Sequence, residues 1–87
     1  MTDTTVKYII TNDHPEALTV LIEPWAEEIV LRPTSSLLLT VLCDREGMLE
    51  VATDPNYFTV WFWTGCRVKL ALNGEELVMP SLLRRAP

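Results

Sequence analysis

Arg67-Val68-Lys69-Leu70-Ala71-Leu72-Asn73-Gly74-Glu75-Glu76-Leu77-Val78-Met79 decides the fold class. Two apolar-rich runs flank an Asn-Gly pair. That pair suits a type I′ turn, whose two central residues both need φ > 0. The stretch predicts a hairpin of strands over 67–72 and 75–79.

Upstream the same rhythm recurs, and each run closes on turn residues: Asn12-Asp13-His14-Pro15, Pro33-Thr34-Ser35-Ser36, Asp44-Arg45-Glu46-Gly47, Asp54-Pro55-Asn56 and Thr64-Gly65. Between them lie candidate strands over 5–11, 17–23, 36–43, 48–53 and 57–63. In the first, Val6, Tyr8 and Ile10 share one face, and Lys7, Ile9 and Thr11 the other, as a period of two requires. In the second, Leu18, Val20 and Ile22 form the core face. The 36–43 run is apolar on both faces (Leu37, Leu38, Leu39, Val41, Leu42), which marks a central strand or one beneath a partner. Asp44-Arg45-Glu46-Gly47 reads as a hairpin turn returning through 48–53. The 57–63 run carries Tyr57, Trp61 and Trp63 on one face and Phe58 and Phe62 on the other.

One stretch, from Glu23-Pro24-Trp25 to Arg32-Pro33, interrupts the rhythm. Pro24 either opens a short helix with acidic residues in its first turn, stopped by Pro33, or makes a corner with Trp25 that leads into a short strand over 28–31. The corner suits the flanking β pattern better, because two turns of helix are marginal alone.

Short strands without a long helix predict an all-β fold: a single-domain antiparallel β-sandwich of about seven strands. It spans 1–80, and 81–87 forms a solvated C-terminal tail carrying Arg84-Arg85.

The 87 residues leave room for one domain. A chain this short buries only about 60–65% of its unfolded surface. Its hydrophobic fraction of 48% is rich for an isolated core, so some apolar surface is expected to serve a partner or self-association. The formal net charge of −5 repels phosphate backbones and anionic bilayers, so neither nucleic acid nor membrane is an expected partner. Met1-Thr2-Asp3-Thr4-Thr5 lacks the basic and apolar regions of a signal peptide, and no apolar run is long enough to span a bilayer. A cytoplasmic protein is expected, with Cys43 and Cys66 as thiols.

Catalytic and metal-binding sets are sparse. A blue-copper site needs two imidazoles, a thiolate and usually an axial ligand. The single histidine, His14, cannot supply that or a cupin-type site. Zinc would need a chance convergence of His14, Cys43, Cys66 and a carboxylate. Asp44, Glu46, Asp54 and Asn56 are explained by turn chemistry without calcium. There is no G-x-S-x-G elbow and no glycine-rich phosphate loop. No catalytic residue, cofactor or metal is expected.

At Ile22-Glu23-Pro24-Trp25-Ala26 through Leu31-Arg32-Pro33 the chain resembles a family of short, uncharacterised bacterial proteins. These carry Glu-Pro-Trp-Gly after a strand and Leu-x-Pro-Gly several residues later. The resemblance covers mainly the first half. Ala26 and Thr34 stand where that pattern has glycine. It implies an immunoglobulin-like or cupredoxin-like β-sandwich and assigns no catalysis.

The aromatics carry the remaining signal, because Trp and Tyr dominate both cores and contact surfaces. The expectation is a non-catalytic module that binds a protein partner or forms a homo-oligomer. Its contacts are Trp25, Tyr57 and Trp63, with Glu23, Glu27 and Glu28 as a polar rim. The alternative is a small-ligand or carbohydrate-binding module using the same surface aromatics.

Overall fold

A computed structural model describes residues 3–87. Met1 and Thr2, read above as part of a polar N-terminus, lie outside the described residues. The chain is all-β, with eight strands: β1 (Thr4–Thr11), β2 (Leu18–Glu23), β3 (Glu27–Leu31), β4 (Ser36–Cys43), β5 (Glu50–Thr53), β6 (Tyr57–Trp61), β7 (Cys66–Leu72) and β8 (Glu75–Leu77). They form two four-stranded sheets, one ordered β1-β4-β7-β8 and the other β3-β2-β6-β5. These are called the first and the second sheet below.

The apolar faces of both sheets share one core. Leu37, Leu39 and Val41 of β4 and Cys66, Val68 and Leu70 of β7 meet Val20 and Ile22 of β2, Ile29 and Leu31 of β3 and Val60 of β6. The alternation along β4 is strict on its core side, with Leu37, Leu39 and Val41 fully buried. Its outer residues Leu38 and Leu42 are half-buried because β1 and β7 flank the strand on both sides. That is the central position its apolar composition requires.

The Asn73-Gly74 hairpin forms as expected, with φ of 50° and 86° at its two central residues. The ambiguous 23–33 stretch resolves as a corner followed by a strand, not a helix. Glu23–Pro24 is cis, Ala26 sits at φ 61°, and β3 runs from Glu27.

Three expectations need correction. The sandwich-like fold is not wholly antiparallel: β2 pairs with β6 in parallel, Val20 opposite Phe58 and Ile22 opposite Val60. There are eight strands and not about seven, since the short strand after the Pro24 corner forms as β3. Asp44-Arg45-Glu46-Gly47 is not a hairpin turn. Both edges of β4 are already filled, Cys43 lying opposite Thr4 on one side and Cys66 on the other. The chain therefore crosses to the second sheet and enters it as edge strand β5.

The segment over 81–87 does not behave as a solvated tail. Pro80–Leu83 forms a 3₁₀ turn, and Leu82 and Ala86 are buried. The Gly65 N–H donates to the Ala86 carbonyl (2.9 Å), and the Ala86 N–H donates to the Cys66 carbonyl (2.8 Å). Two main-chain bonds and two apolar anchors outweigh the fraying expected of a terminus. No helix among the described residues is long and apolar enough to cross a membrane.

Candidate functional site

The outer face of the second sheet is acidic and aromatic. Cross-strand register places Glu23, Trp61 and Glu50 in one row across β2, β6 and β5. The next row holds Glu28, Leu21, Thr59 and Ala52, and the one after it Val30, Thr19 and Tyr57. Trp61 is 43% exposed and Tyr57 42%. They lie four residues apart on one strand face, hence about 13 Å apart along it. The strands of this sheet contain no lysine or arginine among the described residues. Both lysines of the chain, Lys7 and Lys69, lie in the first sheet, on its outer face around Thr40.

This arrangement redistributes the expected contact residues. Glu23, Glu28 and Tyr57 share the outer face. Trp25, Trp63 and Glu27 do not join them. The Trp25 indole is half-buried at the sandwich end, tilted against Phe62 at 6.0 Å, and its Nε1 donates to the Arg84 carbonyl (3.0 Å). Trp63 lies beyond the end of β6, its Nε1 donating to the Arg45 carbonyl (3.0 Å). Its ring covers Gly47 so closely that a Cβ there would overlap it. Glu27 sits opposite the buried Ile22, on the core-facing register of an edge strand. Trp61 takes the place of these two indoles. Alternation along β6 already put it on the side of Tyr57. The signal lay in Thr64-Gly65, which ends the strand early enough to turn Trp63 out of register.

At the same end of the molecule the N-terminal and C-terminal segments are tied by charge. Arg67 Nη2 donates to Asp3 Oδ2 (2.8 Å), Arg85 Nη2 to Asp3 Oδ1 (3.1 Å), and Arg85 Nη1 to the Gly65 carbonyl (2.7 Å). The two guanidinium donors, first that of Arg67, hold the Asp3 carboxyl below its ordinary value of 3.8. A carboxylate depressed in the folded state stabilises at pH above its unfolded pKa, and that contribution is lost as pH falls through the lower folded value. Asp3→Asn is therefore expected to lower the thermal midpoint at neutral pH. The difference from the parent chain should vanish in acid below the ordinary carboxylate range. Midpoints that differ equally at both pH values would assign the effect to something other than the charge.

Cys43 and Cys66 are register partners on β4 and β7. Both are buried thiols with Sγ atoms 3.2 Å apart. Burial, with the hydrogen bond shared with Cys43 second, pushes the Cys66 thiol up to about 12. A cleft of about 370 Å³ opens beside Cys43, walled by Thr4, Tyr8, Arg45 and Trp63. A second cleft, of about 440 Å³, lies at the opposite end and is lined by Asp13, His14, Asp54 and Tyr57, among others. There one Asp54 oxygen already accepts the Asn56 and Tyr57 N–H groups (both 2.9 Å), the turn chemistry read from the sequence. Among the described residues, no three His, Cys, Asp or Glu side chains converge as a metal site.

Comparison with family models, with characterised proteins and with solved structures yields no match.

Proposed function

We propose that the chain is a non-catalytic interaction module whose outer β3-β2-β6-β5 face docks a cationic segment of a protein partner. The row Glu23–Trp61–Glu50 carries this reading. An indole set between two carboxylates, on a sheet whose strands lack any cation, favours Lys or Arg in two ways. The ring face attracts a cation by about 0.5–1 kcal/mol at an exposed site. The flanking carboxylates raise the encounter rate and fix orientation. Leu21, Val30 and Tyr57 supply apolar area around that centre. The wider proposal keeps a cytoplasmic setting and a sandwich of immunoglobulin-like or cupredoxin-like type. The parallel β2–β6 pair departs from the antiparallel pattern of immunoglobulin sheets and so favours the second type.

Titration of the full chain with a Lys/Arg-rich peptide, followed by backbone amide shifts, tests this reading. Shifts should centre on β2 and β6, and a Glu-rich peptide of equal length should produce none. Trp61→Ala is expected to weaken binding about tenfold, the size of a modest hot spot. Trp25 and Trp63 serve the fold and are not part of the contact. Binding should fall with added salt, as exposed charge pairs do. Absence of binding, or shifts confined to the Lys7–Lys69 face, would overturn the proposal. A mass in light scattering that rises with concentration, and a rise lost in Trp61→Ala, would identify the cationic partner as a second copy of the chain.

The second reading, a small polar ligand, rests on the cleft that brings Tyr57 together with Asp13, His14 and Asp54. It predicts sugar-induced shifts at those residues and none at Trp61.

A further inference from the structure

We propose that Cys43 and Cys66 form an oxidation site for low-molecular-weight disulfides, with Cys43 as the attacking thiol and Cys66 as the resolving one. The placement comes first. The two residues face each other directly across the β4–β7 ladder. The Cys66 N–H is spent on the Trp63 carbonyl (3.3 Å) and its carbonyl accepts from Ala86 (2.8 Å). With its N–H turned elsewhere, Cys66 meets Cys43 as a non-hydrogen-bonded pair. In that pair type the opposed Cα atoms come within about 4.5 Å and the side chains approach most closely. A disulfide accommodates Cα separations of about 4.4–6.8 Å. The sulfurs, already in contact at 3.2 Å, need to close by only about 1 Å to reach bonding distance.

Both thiols are buried, and their position relative to a cleft distinguishes them. Cys43 lines the cleft of about 370 Å³, whereas Cys66 does not line it. Cys66 is fully buried, beneath the chain segment that Ala86 ties to it. A cavity of this size suits a small ligand and excludes a folded oxidant protein. Its mixed lining, Tyr8 and Trp63 with Thr4, Arg45 and Glu46, offers partners to the carboxylates and ammonium of a small zwitterionic chain. Disulfides of the glutathione class have that character.

The exchange balances with the small disulfide as the only oxidant. The Cys43 thiol loses its proton, and the thiolate attacks one sulfur of RS–SR and expels RS⁻, which takes up a proton. The Sγ of Cys66, deprotonated as it attacks, then displaces the second RS⁻ from the Cys43 sulfur. Two protein thiols become one disulfide, and one RS–SR becomes two RSH. The product staples β4 to β7 and closes the β5–β6 excursion between them into a covalent loop.

The test incubates the full native chain with oxidised glutathione, blocks remaining thiols with a maleimide and reads the intact mass. The chain is expected to lose two hydrogens, add no blocking group and melt at least about 5 °C higher, the order a short covalent loop produces. Cys66→Ser should stop at a glutathione adduct on Cys43. Cys43→Ser should leave Cys66 unmodified. Both thiols still blocked by maleimide only after unfolding, or an adduct on Cys66 in Cys43→Ser, would overturn the proposal. So would disulfide-linked dimers in place of the internal bond. The parent-chain readout stands even where a variant folds poorly.

Discussion

Asn12→Ala is expected to destabilise the chain by about 3 kcal/mol, more than any other single surface-loop change. Asn12 is fully buried although it sits in a turn. Its Nδ2 donates to the carbonyls of Glu16 (2.8 Å) and Leu31 (2.9 Å), and its Oδ1 accepts the His14 N–H (3.0 Å). Its backbone adds two bonds, the N–H to the Ser35 carbonyl and the carbonyl from the Thr34 N–H. One side chain thus joins the end of β1, the turn before β2 and the end of β3. Alanine removes three side-chain bonds and so weakens the satisfaction of the carbonyls of Glu16 and Leu31 and the N–H of His14. Each buried group left unsatisfied costs about 1–3 kcal/mol, less where water reaches it. For a domain of this size the thermal midpoint should fall by about 12–24 °C, at about 4–8 °C per kcal/mol. Asn12→Asp is expected to be at least as harmful near neutrality, because a carboxylate oxygen would face two carbonyls. It should recover partly in acid, where the protonated group donates one bond. A midpoint unchanged in Asn12→Ala would reduce Asn12 to an ordinary turn residue.

Ala26→Gly and Thr34→Gly are expected to act in the opposite direction. Ala26 (φ 61°) and Thr34 (φ 68°) occupy the left-handed region, one at each end of β3. That region costs a residue with a Cβ about 1–2 kcal/mol. The β-branch of Thr34 makes it the worse case. Glycine relieves the strain but returns about 0.4–1 kcal/mol through the greater freedom of the unfolded chain. The double variant should therefore gain about 1–2 kcal/mol and melt about 5–10 °C higher. The two sites share no contact across a five-residue strand, so their effects should add. Thr34→Gly should gain the larger part. Urea midpoints of the two single variants and the double one check this, and a loss at either position would mean that its side chain contributes contacts worth more than the strain.

The strands were legible because their signals are local. Alternation along β2 reports which side chains face the core, the two apolar faces of β4 report its central place, and Asn73-Gly74 reports a turn that few other pairs adopt. The corner at Pro24-Trp25 was legible too, since no helix of two turns competes with a strand pairing at both ends of the segment. The candidate face was legible in part. Glu23, Glu28 and Tyr57, expected as contacts, lie on it. Composition ranks the three indoles alike and does not separate Trp61, which lies on the face, from Trp25 and Trp63, which do not. Their different fates depend on which backbone carbonyl each Nε1 finds, those of Arg84 and Arg45. Both carbonyls come from segments distant in sequence.

Residue order alone is enough to specify an all-β chain and the position of nearly every strand. These follow from backbone sterics and a two-residue period, which act over a few neighbours. Only the tertiary arrangement decided that β2 and β6 run parallel, that the chain crosses between sheets after Cys43, and that residues 81–87 close the molecule over Cys66. Each of these is settled by which strand edge or buried carbonyl is still unpaired once the rest of the chain has taken its partners. That is a property of the whole fold and is written at no single position.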